Sequence, residues 1–421
     1  AALIDFMVYR HYLPRGESAE RLLAFVVTSK TIRRIELGDV EPIQKAVDRF
    51  LTQLRRTQPA KDDGDPAVAL RNAVWTPLQE SLRGAELVLI SPDGPLCSLP
   101  FPALPSAEGK EYLLEEIALA VIPVPQMLPE FLAPRGNRPE DRPPSLLAMG
   151  NIDFDHGLGA AAPKTPAGEG AAPAWKRRRA GARLQWENLP GTAGEVLALE
   201  DAFRKAVPRG KATVLREAQA TSAAFRKEAP AHEYLHLATH GFFAPPDAGQ
   251  ESPGRRSGLG ADVRASSAGY HPGVFSGLVL AGANKPRDDD DGILTALEVA
   301  ELPLANVELA VLSACETGLG ETAGGEGTLG LQRAFQLAGA RTTITSLWKV
   351  DDDATRRLME QFYENYWRKG HGALESLRRA QLWMLNEGPN RGIVRVDDGA
   401  KEPRRSPPYY WAAFVLAGDW R

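Results

Sequence analysis

Cysteine is scarce in this sequence: Cys97 and Cys315 are the only two among 421 residues. So low a count excludes a disulfide framework and a cysteine-rich zinc site, and it is typical of proteins in a reducing compartment. The sequence also lacks any apolar run of about 18 residues, the length needed to cross a membrane as a helix. We therefore expect a cytoplasmic protein that does not act in a membrane.

An excess of charge of either sign is absent as well. The chain has 50 Lys and Arg residues against 54 Asp and Glu residues, for a formal net charge of -4. This balance is not the electrostatic signature of a nucleic-acid-binding protein. One basic run, KRRRAGAR at 176–183, lies in a stretch rich in Ala, Pro and Gly, and we interpret it as a solvated loop. No direct nucleic-acid partner is expected.

The chain is long enough for two or three domains, and 43% of its residues are hydrophobic, as in globular proteins with a large core. Residues 1–133 have the pattern of a smaller α/β unit, in which a strand hairpin precedes an amphipathic helix at 40–56. The Pro-rich, charged stretch 134–145 is typical of a linker. Residues 146–421 are then expected to form the larger domain.

Within residues 146–421, apolar strand patterns alternate with helix patterns. This alternation predicts an α/β fold with a mostly parallel sheet flanked by helices. One of the helices is predicted at 191–207, with Thr192 as its N-cap and Glu195 three residues later, the sequence signature of a capping box.

Two of the predicted strands end in residues that a nucleophilic enzyme needs. The strand at 233–240 ends at His240 and is followed by Gly241, and the strand before LSACETG (312–318) ends near Cys315. Ligands bind beyond the carboxyl ends of the strands in open parallel sheets. If the two strands are neighbours, a thiolate can attack there while an imidazole manages the proton. Gly241 has no Cβ, so its backbone N–H can approach a substrate carbonyl closely.

The other cysteine and a second histidine on the same strand have simpler interpretations. His236 lies four positions before His240, roughly 13 Å away along an extended strand, which is too far to share one reactive centre. We expect His236 to pack in the core. Cys97 is interpreted as a small apolar filler.

Two further motifs suggest weaker alternatives. GEGTLG, Gly325–Gly330, matches the glycine pattern of a nucleotide-binding loop, but about ten residues separate it from the preceding strand, which such a loop should follow directly. A nucleotide-dependent switch is therefore kept only as an alternative function, because the spacing argues against it. The acidic run DDDDG at 288–292 lacks the spacing of a calcium loop and is interpreted as a solvated turn. No cofactor and no metal are expected.

Several motifs, taken in order, resemble CHAT domains, caspase-like cysteine peptidases of clan CD that are related to separase. The motifs are SPDGPLCSLPFPAL, MGNIDFD, LPGTAGEVLALE, HLATHGFF, SGLVLAGAN, DGILTALEVAEL, ELAVLSACETGLGE, GGEGTLGLQRAFQLAGARTTITSLWKVDDDAT and PYYWAAFVLAGDW. The resemblance implies a caspase-like fold in which His240 and Cys315 form the catalytic dyad. It also implies an oxyanion site at the backbones of Gly241 and Cys315, and a degenerate, inactive companion domain at 1–133.

The resemblance further implies a cysteine endopeptidase that cleaves a protein partner. Such domains usually follow a sensor region, so activation by an upstream sensor or a partner protein is expected, in signalling or defence of the bacterial type. The alternative is a catalytically silent interaction module with the same fold, in which both dyad residues are relics.

The substrate pocket is less well defined by the motifs. The candidate substrate-binding residues are Asp153, Asp155, Ser313, Trp348, Asp351, Asp352 and Arg356. Separases and metacaspase-like enzymes have an acid where this chain has Arg356 and Ser313, respectively. A small, apolar or acidic residue before the cut is therefore expected rather than a strict preference for Arg or Lys. The acids Asp153 and Asp155 instead favour Arg or Lys before the cut.

Overall fold

The structure is a computed structural model that describes residues 1–12, 17–56, 65–133, 143–157, 185–243, 276–287, 290–316, 326–394 and 405–421. The described residues contain thirteen strands that belong to one sheet. The strands are β1 (Ala2–Tyr12), β2 (Ser18–Val27), β3 (Ile32–Asp39), β4 (Leu87–Ser91), β5 (Ala118–Val121), β6 (Ser145–Ile152), β7 (Lys211–Glu217), β8 (Tyr234–Phe243), β9 (Ser276–Val279), β10 (Ile293–Thr295), β11 (Leu309–Glu316), β12 (Thr342–Ser346) and β13 (Phe414–Gly418).

The order of the strands puts β8 and β11 near the middle of the sheet. From one edge to the other it runs β7-β6-β8-β11-β12-β13-β5-β4-β1-β2-β3. The antiparallel hairpin of β9 and β10 extends the sheet beside the carboxyl end of β8. Most pairings are parallel, and the antiparallel ones are confined to the β1–β2–β3 meander, the β9–β10 hairpin with its pairing to β8, and the pair β12–β13. The predicted α/β fold with a mostly parallel sheet is thus confirmed.

Helices cover the sheet. They are α1 (Val40–Arg56), α2 (Pro66–Leu70), α3 (Leu113–Glu116), α4 (Leu128–Leu132), α5 (Gly191–Ala206), α6 (Ser222–Glu228), α7 (Ala296–Ala300), α8 (Glu326–Leu337), α9 (Asp352–Tyr363) and α10 (Ala373–Glu387). The helix predicted at 40–56 is confirmed as α1. Its stripe of Ile43, Val47, Phe50 and Leu54 is buried in the core, since apolar residues at this spacing lie on one face of a helix.

Helix α5 begins differently from the prediction. Pro190 occupies the N-cap position, and the Thr192 hydroxyl donates to the Leu189 carbonyl at 2.6 Å. Glu195 does not turn back to the helix terminus; its carboxylate contacts the buried ring of His236 at 2.9 Å. The predicted capping box is therefore wrong, because the N-cap Pro190 has no side-chain acceptor and no N–H, the Thr192 N–H donates to the Leu189 carbonyl, and the Glu195 carboxylate is bound by His236.

The sheet is continuous across the predicted linker. β5 pairs in parallel with β13, with Val121 opposite Ala417. The guanidinium of Arg378 in α10 donates to the carbonyls of Leu114 and Glu115, at 2.9 Å each. Strands from both predicted domains therefore share one hydrogen-bonded sheet. The division at 134–145 stays a prediction, and most of that stretch, 134–142, lies outside the described residues.

A buried carboxylate holds the last strand at its C-terminal end. Asp419, which is 0% exposed, accepts hydrogen bonds from Arg341 at 2.9 Å and from Arg421 at 3.0 Å. The backbone N–H of Asp419 also donates to the Arg341 carbonyl. This arrangement ties the end of β13 to the start of β12.

Replacing Asp419 should destabilise the fold strongly. We expect Asp419→Ala to lower the free energy of unfolding by about 2 kcal/mol, because the fully buried carboxylate is lost and the partly exposed guanidinium groups of Arg341 and Arg421 lose their acceptor. The measurement is the urea unfolding midpoint. Glu375→Gln is the control, since the ion pair of Glu375 with Arg379 is exposed and such pairs contribute only ~0–1 kcal/mol. Similar midpoints for the two variants would contradict this account of Asp419.

Candidate active site

The predicted reactive residues lie on two neighbouring strands. β8 and β11 run parallel, and their register places Cys315 directly opposite His240. Paired Cα atoms in a sheet are roughly 4.8 Å apart, so the two backbones are in immediate contact at the carboxyl ends of the strands. For Cys315 the structure describes this backbone position. The two strands are therefore neighbours, as a joint role of His240 and Cys315 requires.

The imidazole of His240 lies in an aromatic enclosure. It is 6% exposed, and its ring centroid is 5.1 Å from Phe154 and 5.5 Å from Trp186. Nε2 lies 2.7 Å from the backbone carbonyl oxygen of Glu187. A carbonyl can only accept, so Nε2 carries the hydrogen and Nδ1 is the ring nitrogen left to accept a proton.

The enclosure changes the acidity of the ring. Burial lowers the pKa of His240 below its ordinary value, because the charged imidazolium loses hydration. The ammonium of Lys349 lowers this pKa further, while the hydrogen bond to the Glu187 carbonyl opposes both effects. The net direction is downward, so His240 is neutral at neutral pH and able to act as a base.

Sequence analysis missed Trp186 and Glu187. Both lie in a stretch without helix or strand periodicity, and a backbone carbonyl leaves no signature in the sequence. The aromatic side chain of Trp186 next to the motif LPGTAGEVLALE is the one hint that the stretch packs against the sheet.

His236 is a satisfied core residue, as predicted. It is 0% exposed, and its two ring nitrogens contact Glu195 Oε1 at 2.9 Å and the Tyr363 hydroxyl at 3.0 Å. Its hydrogen bonds direct it towards α5 and α9, whereas His240 contacts the segment that precedes α5. The two histidines of the HLATH motif therefore belong to different environments.

Two of the candidate substrate-binding residues lie beside the enclosure. Asp153 and Asp155 flank Phe154 in the turn after β6, and Phe154 contacts His240. Asp153 Oδ1 accepts from the backbone N–H of Asp155 at 3.1 Å, and Asp155 Oδ1 accepts from Asn284 Nδ2 at 3.2 Å. The two carboxylates thus flank the ring that packs on His240; hydrogen bonds engage one oxygen of each, and Asp153 Oδ2 lies 3.8 Å from His156 Nδ1.

Two other candidates are engaged in contacts within the protein. Trp348 is 3% exposed, and its indole N–H donates to the Tyr409 carbonyl at 3.0 Å. Arg356 forms ion pairs with Asp353 and with Glu360 on its own helix, α9. These contacts favour structural roles for Trp348 and Arg356.

The remaining candidates lie at a helix terminus and on a strand. Asp351 is the N-cap of α9 and accepts from two backbone N–H groups of the first turn. The neighbouring Asp352 lies so close to Gly191 that a Cβ on Gly191 would overlap it. Ser313 is half-buried on β11, two residues before Cys315. Of these three, Ser313 is nearest in sequence to the end of β11.

The weaker motifs of the sequence contribute little to the described site. The described part of GEGTLG lies at the start of α8, and Gly325 together with the basic run 176–183 lies outside the described residues. In the described ranges no cluster of three or more His, Cys, Asp or Glu residues could hold a metal ion. The described helices are also too short or too polar to cross a membrane.

The chain is similar to one family model and to several solved structures. A family model described as the CHAT domain matches residues 64–419. Among solved structures, the chain is similar to separase in the Saccharomyces cerevisiae separase–securin complex, with 11% identity and a TM-score of 0.39 over 79% of this chain and 15% of that chain. It is also similar to the Arg-specific cysteine proteinase gingipain R, with 10% identity and a TM-score of 0.46 over 90% of this chain and 74% of that chain. No curated protein matches the sequence.

The surroundings of His240 predict a low pKa. In an NMR titration, the ring signal of His240 should have its midpoint below 6.5, because burial penalises the imidazolium more than the carbonyl hydrogen bond favours it. The signal is assigned by its loss in His240→Gln. As pH falls through 6.5 the unfolded chain takes up the proton first, so the wild type should lose stability relative to His240→Gln in that window. A midpoint above 6.5 would contradict the described enclosure.

Proposed function

We propose that this chain, which belongs to the CHAT domain family, is a cysteine endopeptidase with Cys315 as nucleophile and His240 as proton carrier. The observation that carries the proposal is the register of β8 and β11, which pairs these two residues at the carboxyl edge of the sheet. A free thiol has a pKa of ~8.5 and needs a nearby base to react at neutral pH. A buried imidazole whose lowered pKa keeps it neutral meets that need.

The chemistry follows from the tautomer of His240. Nδ1 takes the thiol proton of Cys315, and the thiolate attacks the scissile carbonyl carbon of a peptide. The imidazolium then gives that proton to the amide nitrogen, the C–N bond breaks, and the amine leaves. Water, with Nδ1 again as base, attacks the resulting thioester; the C–S bond breaks, the acid leaves, and Nδ1 returns the proton to the sulfur of Cys315. Throughout the cycle the Nε2–H keeps its hydrogen bond to the Glu187 carbonyl, which stabilises the imidazolium.

The backbone N–H groups of Gly241 and Cys315 are proposed to stabilise the oxyanion of the tetrahedral intermediate. Gly241 is paired with Glu316 on one side and with Leu278 on the other. These pairings fix the backbone of Gly241, and the resemblance to CHAT peptidases supports its role as an oxyanion donor.

The substrate is proposed to be a segment of a protein partner. Activation by an upstream sensor region or a regulatory protein, and a cytoplasmic location, belong to the same proposal. The resemblance to sensor-linked peptidases supports the activation by a sensor region or regulatory protein, and the low cysteine count supports the cytoplasmic location.

Loss of either dyad residue should abolish cleavage. Cys315→Ala and His240→Ala should each lower kcat/KM for a peptide pool by roughly 10³-fold or more, and the double variant should lose little beyond that because the two residues act as a unit. Cys97→Ala is the control and should keep full activity, since Cys97 is half-buried on a turn near β4. Cleavage that persists in Cys315→Ala would refute the assignment. A folded wild type without any cleavage would favour a silent interaction module.

The residue before the cut is expected to be small, apolar or acidic. At the two positions where related peptidases have an acid, this chain has Arg356 and Ser313. Neither side chain is a carboxylate that could pair with a basic substrate residue, and Arg356 itself is paired with two acids of its own helix. Cleavage-site profiling against a diverse peptide pool measures this preference. A profile dominated by Arg or Lys would instead assign specificity to Asp153 and Asp155, and Asp155→Asn should then reduce that preference.

A further inference from the structure

We propose that Asn284 is a positioning residue that holds the backbone around Glu187 so that the Glu187 carbonyl stays on Nε2 of His240. The inference rests on the proposed role of His240 as the proton carrier of the peptidase. Asn284 belongs to the turn between β9 and β10, and it is not expected to touch the substrate.

The side-chain amide of Asn284 clamps the segment in both directions. The backbone N–H of Trp186 donates to Asn284 Oδ1 at 2.8 Å, and Asn284 Nδ2 donates to the Trp186 carbonyl at 2.9 Å. The next residue along the chain is Glu187, whose carbonyl lies 2.7 Å from Nε2 of His240. One peptide unit therefore separates the clamp from the acceptor that orients the ring.

Asn284 also connects the second wall of the enclosure. Its backbone N–H donates to the Phe154 carbonyl at 2.8 Å, and its Nδ2 reaches Asp155 Oδ1 at 3.2 Å. Phe154 and Trp186 are the two rings packed on His240. A single residue thus binds both chain segments that enclose the imidazole.

The chemistry of the amide explains why asparagine suits this position. A primary amide has a donor and an acceptor in one plane and can imitate the edge of a neighbouring peptide. Aspartate would keep the acceptor for the Trp186 N–H but would place an anion against the Trp186 carbonyl. Alanine would lose both bonds.

The segment is held at its other end as well. The Thr192 hydroxyl donates to the Leu189 carbonyl at 2.6 Å and accepts from the backbone N–H of Asn151 at 2.8 Å. Glu187 therefore lies between two anchored residues: Trp186, which Asn284 binds, and Leu189, which Thr192 binds. If the Asn284 anchor is lost, the carbonyl is free to move away from Nε2, and the ring loses the contact that fixes its proton and its rotation.

The test observes the Nε2–H proton of His240 directly. A proton held on a buried carbonyl exchanges slowly with water and gives a downfield NMR signal at neutral pH. The signal is assigned by its loss in His240→Ala. In Asn284→Ala we expect this proton to exchange at least 10-fold faster or its signal to disappear, and kcat for peptide cleavage to fall about 10-fold or more with little change in KM. Asn284→Asp should cause the same changes and serves as the test if the alanine variant does not fold.

Gln381→Ala is the matched control. The Gln381 amide donates to two backbone carbonyls, those of Trp411 and Phe414, at 3.0 Å each, and it lies on α10 away from β8. Its loss should lower stability without changing the His240 proton or kcat. An unchanged exchange rate in both Asn284 variants would overturn the proposal. Wild type that shows the slow proton but cleaves no peptide would overturn the proposed function, and the exchange comparison would still decide the role of Asn284.

Discussion

The in-register pairing of β8 with β11 is the constraint on which the candidate site depends. Eight consecutive residue pairs, from Leu309 opposite Tyr234 to Glu316 opposite Gly241, keep these two strands together. In a parallel sheet both strands end at the same edge, so this register brings Cys315 and His240 together without any contribution from loops. A shift by one residue would move the pair onto opposite faces of the sheet, because side chains alternate along a strand.

The second requirement is an imidazole that is buried and can still accept and return a proton. Burial alone would leave the ring neutral but free to present either nitrogen. The Glu187 carbonyl fixes the proton on Nε2 and partly restores the affinity of the ring for a second proton. The opposing effects of burial and hydrogen bonding leave the pKa below its ordinary value, which suits a general base that also becomes an acid during the cycle.

The sequence predicted those features that depend on periodicity and on strand ends. The apolar strands, the helix α1, the core position of His236 and the placement of His240 and Cys315 at strand ends follow from local pattern. That these two strands are neighbours was a condition of the argument from the residues and an implication of the family resemblance, and their pairing meets it. The partner of Glu195 was mispredicted, since a capping box is a local rule and the buried His236 lies 41 positions away in sequence. The Glu187 carbonyl and its clamp are equally nonlocal and involve backbone atoms, which no side-chain pattern specifies.

The central claim is that Cys315 is activated by its neighbour across the sheet. Its most direct measurement is the rate at which an electrophilic peptide modifies each cysteine at neutral pH, located by mass spectrometry of the intact and digested protein. The account predicts that Cys315 is modified much faster than Cys97, and that His240→Gln slows Cys315 by at least about 10²-fold while leaving Cys97 unchanged. Equal reactivity of the two cysteines, or an unchanged rate at Cys315 in His240→Gln, would contradict it.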